Sequence, residues 1–283
     1  MDFGLPVQKK APTARDRRRK VLIKKVSITL VSFLVFFGIF SYVMNFSPLR
    51  VEKVVIFGTN IVPEGEVAEA VNTLISGKYF FLIPKNNVFF YPKERLKNDL
   101  LSKFSRIEAV YPALDRGNIL VITVAERSPK YVWCGKENRR DVSTHEECYF
   151  MDKDGYIFIK SPDFSPNVFF RIYGELASTT EPIGARVFSP DEFVRIMDFR
   201  SAVSSIGFSL KAVVSLKDGD YEFVLSNGGK ILFNSKNDFD KSADNIRLAV
   251  TSAPLFDELK AKPNQLLYID VRFGNKVFYK FDD

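Results

Sequence analysis

Histidine is almost missing from these 283 residues: His145 alone stands in the polar run GKENRRDVSTHEE. A Ser-His-Asp hydrolase needs an imidazole within reach of its nucleophile, so any such enzyme would depend on that one residue. Neither H-E-x-x-H nor G-x-S-x-G occurs, which removes the helix-borne zinc site and the nucleophile elbow. Cysteine is scarce as well. Cys134 and Cys148 are the only two, and with one histidine they fall short of the ligand set of a structural zinc site. Asp152 and Asp154 do not open a calcium loop, because counting from Asp152 the place that must be glycine is held by Ile157. No catalytic residue, metal or cofactor is therefore expected, and Asp154-Gly155 reads as a hairpin turn.

Charge is missing between Lys25 and Arg50, where the chain runs VSITLVSFLVFFGIFSYVMNFSPL. That stretch is long enough to cross the hydrocarbon core of a bilayer as one helix, placed at residues 26–48. A cleaved signal peptide has a shorter apolar core and a small-residue cleavage site, and no A-x-A pattern follows here, so the segment reads as a retained anchor. Nine of the 41 Lys and Arg lie before Val26, against two of the 34 Asp and Glu, so 32 of each sign remain beyond it. Positive residues beside a membrane segment stay on the cytoplasmic side, which makes residues 1–25 a basic cytoplasmic tail and sends the rest out of the cytoplasm. The exported part is formally neutral. A sequence pI near 9.2 is thus a property of the tail, and nucleic acid is not expected as a partner because no basic footprint falls on a folded domain. Contact of Arg15–Lys25 with anionic lipid explains the tail, with a cytoplasmic protein partner as the alternative. Residues 1–14, with Pro6, Pro12 and no periodicity, read as disordered.

Beyond the anchor there are two textures, with a boundary at Ala125–Pro129. The first, residues 49–126, opens with a strand at Val51–Phe57 and a Gly58-Thr59-Asn60 turn. A helix at Glu64–Ile75 follows, in which Val67, Val71, Leu74 and Ile75 share a face. After an aromatic loop, KYFFLIPKNNVFFYP, a second helix begins near Pro92, and two strands follow at Ile107–Leu114 and Asn118–Glu126. The order is β-α-α-β-β. Residues 127–283 instead hold many short strands separated by turn dipeptides such as Asp218-Gly219, Gly228-Gly229 and Gly274-Asn275. Helices are expected only at Pro190–Ile206 and Phe239–Ser252. The fold class is α+β: one N-terminal transmembrane helix, a β-α-α-β-β domain, then a mostly antiparallel β domain with two helices.

Cys134 and Cys148 bracket a polar loop outside the cytoplasm, where disulfides persist. A bridge there would contribute about 3 kcal/mol in the chain-entropy picture; two reduced buried thiols are the alternative. The last strand, Lys276–Phe281, alternates Lys276, Phe278 and Lys280 on one side with Val277, Tyr279 and Phe281 on the other. Lysines on a sheet edge guard against indiscriminate pairing while leaving the backbone available for strand addition.

In this order and spacing, several segments are similar to the FtsQ/DivIB family of bacterial cell-division proteins. SPLRVEKVVIFGTNIVPEGEV resembles the opening of that family's POTRA module. ILVITVAERSPKYVW resembles its last strand, the E-R-x-P junction and the first strand of the β domain, CYFMDKDGYIF the following hairpin, and QLLYIDVRFGNKVFYKF the final two strands. The resemblance covers residues 15–282. The insert between Trp133 and Tyr149 departs from the pattern. The resemblance implies a non-enzymatic, single-pass scaffold of the divisome, N-terminus in the cytoplasm, seated in the cytoplasmic membrane and enriched at the septum. It also implies a POTRA unit that binds other division proteins, a rigid spacer being the alternative. Arg272, Phe273 and Gly274, with Lys276, Phe278 and Lys280 of the last strand, are implied to contact small coiled-coil partners of the FtsB and FtsL type. The alternative there is that Tyr279 and Phe281 only close the core. An export or assembly factor that binds extended polypeptides, and an anchored cell-wall enzyme, are the other classes open to such a chain; no small-molecule substrate is expected.

The charge asymmetry generates a direct test. A reporter active only outside the cytoplasm should function when fused after Asp283, and activity of a cytoplasmic reporter alone at that point contradicts the orientation.

Overall fold

The computed structural model describes residues 14–136, 147–163, 168–176, 181–262 and 264–282. The expectation of disorder for the extreme N-terminus lies outside them, except that Ala14 already belongs to a helix. Helix α1 runs Ala14–Met44, so the basic residues from Arg15 onward extend the apolar helix rather than precede it. From Arg17 to Met44 it is long and apolar enough to cross a membrane. It stops at Met44, short of the expected residue 48, because the Asn45 side chain donates to the Ser41 carbonyl (2.7 Å) and the chain then makes a single 3-10 turn at Ser47–Leu49 around Pro48.

The chain divides into two compact units, one comprising the chain up to Leu100 with Val110–Val124, the other Leu101–Ala109 with the chain from Ala125 onward. The first contains β1 (Lys53–Phe57), α2 (Glu64–Ile75), β2 (Lys78–Tyr79), β3 (Ile83–Pro84) and most of α3 (Lys93–Lys103). It shares β4 (Ile107–Asp115) and β5 (Ile119–Glu126) with the second. These strands form a sheet in the order β1-β5-β4, with β1 parallel to β5. Val67, Val71 and Ile75 of α2 and Leu96 and Leu100 of α3 are buried, as their spacing requires. The aromatic loop holds the short hairpin β2-β3, which the sequence reading left unassigned.

The second unit is built on a sheet that among the described residues has nine strands: β6 (Tyr131–Trp133), β7 (Tyr149–Met151), β8 (Ile157–Lys160), β9 (Phe170–Tyr173), β10 (Leu210–Ser215), β11 (Asp220–Leu225), β12 (Lys230–Asn234), β13 (Leu266–Asp270) and β14 (Phe278–Phe281). Their order is β14-β13-β12-β11-β10-β9-β6-β7-β8. Most neighbours are antiparallel; β6-β9, β9-β10 and β12-β13 are parallel. One face packs on α4 (Pro190–Ser205) and α5 (Phe239–Val250), where Phe193, Ile196, Phe199, Val203 and Ile246 meet Phe223, Ile231, Phe233 and Ile269. Alternate residues of the same strands face the other way. There Val132, Cys134, Tyr173, Ala212, Val214 and Val224 form a smaller cluster, and Cys134 and Cys148 are joined by a disulfide beside it. A third helix, α6 (Leu255–Ala261), corrects the expectation of two; its seven residues are too few for a periodic pattern.

The Asp154-Gly155 turn carries more than a change of direction. Asp152 is buried, and its Oδ1 accepts the backbone N–H of Asp154 and of Tyr156, each at 2.9 Å, while Oδ2 accepts from Arg127 Nη1. Arg127 also donates to the Ser105 carbonyl (3.2 Å) and stacks 4.0 Å from the Tyr156 ring centre. Gly155 sits at φ +73°, and a Cβ there would lie 2.8 Å from Phe193 Cδ2, so glycine is required on both counts.

Because both partners are desolvated, removing one strands the other. Asp152→Ala should lower the unfolding free energy by about 3 kcal/mol, read as a reduced urea midpoint of the full chain in detergent micelles.

Candidate functional site

At the C-terminal end of the large sheet, β13 lies parallel to β12 and the chain then reverses into β14, the terminal strand in the order. Gly274, at φ +68°, turns the reversal. The reversal is tied down from α5 and the loop before it. Asn237 Nδ2 donates to the carbonyls of Val271 (3.2 Å) and Arg272 (3.0 Å), and Asn245 Nδ2 to that of Gly274 (3.2 Å). Val271 is fully buried and its N–H donates to the Leu232 carbonyl at 2.9 Å.

Tyr268, Asp270 and Arg272 alternate onto the sheet face away from α4 and α5. The Arg272 guanidinium grips Asp270 as a fork, Nε to Oδ1 at 2.9 Å and Nη2 to Oδ2 at 2.7 Å, and reaches Asp220 Oδ2 on β11 at 2.7 Å. Hydrogen bonds to the two carboxylates push the Arg272 pKa up. Burial alone would raise the Asp220 pKa, but hydrogen bonds from Asn234 and Arg272 outweigh it and hold that carboxyl below its ordinary value. Such planar, bidentate pairing is specific to arginine; lysine cannot reproduce it.

Arg272 walls a pocket of about 460 Å³ whose lining also includes Leu232, Tyr268, Asp270, Phe273, Lys276 and Phe278. Phe273 and Phe278 are 57% and 48% exposed, and their rings meet edge-to-face with centroids 5.5 Å apart. Of the residues singled out from sequence, Arg272, Phe273, Lys276 and Phe278 therefore share one pocket, Gly274 shapes the turn beside it, and Lys280 is exposed farther along β14 outside the pocket lining. One correction applies: the strand begins at Phe278, not Lys276, because the chain is still completing its reversal at residues 276–277. The outward and inward alternation survives, with Phe278 and Lys280 exposed and Phe281 buried.

Sequence reasoning missed Asp270, Asp220, Asn237 and Asn245. Asp270 had a signal, since it stands two residues before Arg272 and so on the same strand face; the other three come from distant segments and had none. Tyr221, on the opposite sheet face, has its pKa raised by burial first and by its hydrogen bond to Glu192 second, and belongs to the core. Among the described residues no group of three or more His, Cys, Asp or Glu is placed to hold a metal ion, and His145 lies outside them. Neither a protein-family model nor a curated protein matches the chain.

The Asp220 shift fixes a sign for pH dependence. A carboxyl held below its unfolded pKa adds stability at neutral pH that is lost as the pH falls through the folded value. Arg272→Ala should therefore cost about 2 kcal/mol at pH 7, with the difference from the parent shrinking as the pH drops below the ordinary aspartate value of about 4. Urea unfolding at a series of pH values reads both.

Proposed function

We propose that this chain is a non-enzymatic, single-pass scaffold of the bacterial cell-division complex, with α1 as its anchor in the cytoplasmic membrane and β14 as a docking strand for coiled-coil partners of the FtsB and FtsL type. The observation that carries the reading is the state of the two ends of the large sheet. At one end, the Ile157 N–H of β8 donates to the Ala185 carbonyl, the Ile157 carbonyl accepts from Gly184, and Ser105 Oγ caps the Phe158 carbonyl. That end is covered. At the other end β14 is the last strand in the order, flanked by an aromatic and cationic pocket.

The direction of its backbone follows from register. Asp282 N–H donates to the Gln265 carbonyl, so the even-numbered residues turn their N–H and C=O groups toward β13 and Tyr279 and Phe281 turn theirs outward. An added strand would take its main-chain bonds from Tyr279 and Phe281, and Phe273 and Phe278 would receive its side chains. The order β1-α2-α3-β4-β5, with β1 parallel to β5, suits a POTRA module between anchor and β domain, and we assign it contacts with other division proteins near the membrane.

Proline at position 279 removes an outward donor and leaves the N–H groups of Phe278 and Lys280 to β13. Tyr279→Pro and Phe273→Ala should each weaken capture of an FtsB-type partner by about tenfold, which is 1.4 kcal/mol, and disperse a fluorescent fusion from the division site. Unchanged affinity in both variants, with normal circular dichroism, places the interface elsewhere.

A further inference from the structure

The hairpin β2-β3 carries at its tip two phenylalanines that no pocket among the described residues receives. Phe80 and Phe81 are 90% and 94% exposed. Both also sit at positive φ, +45° and +64°, inside a tight turn closed by the Leu82 N–H donating to the Tyr79 carbonyl at 2.9 Å. Turns with two positive φ values favour Asn-Gly, and a bulky residue there is a strained outlier. Two large apolar side chains, held in strained backbone and left almost fully exposed among the described residues, point to a ligand outside the chain.

The position of the hairpin says what that ligand is. The tip turn itself is fastened to the end of α1: the Leu82 carbonyl, next to Phe81, accepts from Ser41 Oγ at 3.0 Å and from Nδ2 of Asn45, the residue after the helix, at 2.8 Å. Next to it, the fully buried Asn87 donates to the Met44 carbonyl at 2.9 Å. Counting from Val26, the first residue past the basic flank, a helix needs roughly 20 residues to cross the hydrocarbon core, which ends at Asn45. Ser41 then lies about one turn, or 6 Å, inside that boundary, and the Leu82 carbonyl, bonded to both Ser41 and Asn45, lies between that depth and the boundary itself. The Leu82 N–H and carbonyl, which lie nearest the helix, are satisfied by the turn bond and by Ser41 and Asn45. Lys78 and Lys85 flank the hairpin, with Lys85 Nζ 5.9 Å from the Tyr79 ring centre, and cations beside a membrane segment suit anionic head groups.

We propose that the hairpin tip, Phe80 and Phe81, inserts into the outer face of the bilayer that α1 crosses and acts as a second membrane anchor. The tip fixes the tilt and rotation of the first unit on the membrane surface, because two attachment points remove the freedom that one helix alone leaves. The inference rests on α1 spanning a bilayer and goes beyond the scaffold role.

The test uses the full chain in phosphatidylcholine–phosphatidylglycerol vesicles. The native cysteines are bridged, so a nitroxide reacts only with an introduced thiol in Phe80→Cys, Phe81→Cys or the mid-helix control Val35→Cys. Relaxation of each label by oxygen, which partitions into lipid, is compared with relaxation by a water-soluble nickel chelate. Oxygen dominating at all three positions is the expected result. Oxygen dominating at Val35 while the chelate dominates at both Phe80 and Phe81 overturns the proposal, leaves α1 as a spanning helix and hands the two phenylalanines to a protein partner. Chelate dominating at Val35 as well overturns the spanning reading and the anchor with it.

Discussion

An open sheet must end in two edges, and each edge is a row of main-chain donors and acceptors that something has to satisfy or guard. In the second unit the two ends are treated differently. Along β8, Ile157 exchanges hydrogen bonds with Gly184 and Ala185 and the Phe158 carbonyl is capped by Ser105. β14 ends the order at the opposite side, with Phe278 and Lys280 exposed on one face and Phe281 buried on the other. Burial of Phe281 fixes the register of the strand, since a slip of one residue would bring Lys280 into the core. The register and alternation of this edge strand are therefore set by the chain's own core.

Two arginines hold the second unit at its sensitive points by the same device. Arg127 and Arg272 each bond an aspartate that also accepts backbone N–H groups, Asp152 from residues 154 and 156 and Asp270 from residue 272. A carboxylate with several donors is a strong local organiser because its charged form is satisfied where it sits. The difference lies in exposure. Asp152 is nearly sealed, so its pair serves structure, whereas Arg272 keeps 29% of its side chain accessible beside exposed aromatic rings.

What could be read from sequence followed periodicity and turn chemistry. Helix α2 matched its expected bounds because Val67, Val71 and Ile75 mark one face without interruption and Gly77 follows the end. β11 was marked by the Asp218-Gly219 and Gly228-Gly229 turns on either side and by the alternation of Asp220, Tyr221, Glu222 and Phe223. The apolar helix was legible as a charge-free run, but it extends back to Ala14 because charged residues interrupt an apolar pattern without interrupting a helix. Arg272 and Phe273 were singled out by the family resemblance and Lys276 and Phe278 by the resemblance together with the alternation of the last strand, while Asp220 arrives from β11 by a pairing that only the folded sheet creates. The parallel pairing of β12 with β13 was hidden for the same reason: it needs α5 and α6 as a crossover.

The hairpin β2-β3 shows most directly why a correct local rule can miss an element. Its turn has the geometry of Asn-Gly with the residues of a hydrophobic core, so turn chemistry argues against a hairpin and periodicity offers only two residues on each side. Local preference and observed structure conflict where residues answer to something beyond the chain. The same conflict is absent at Gly274, where a positive φ falls on glycine and the turn serves the chain itself. Of the two reversals, the strained one is bonded to the last turn of α1 and the relaxed one stands beside β14, the terminal strand of the large sheet among the described residues. Strain at the first has no compensating side-chain packing among the described residues, since Phe80 and Phe81 are 90% and 94% exposed, and the proposed insertion of the two rings into lipid would supply it.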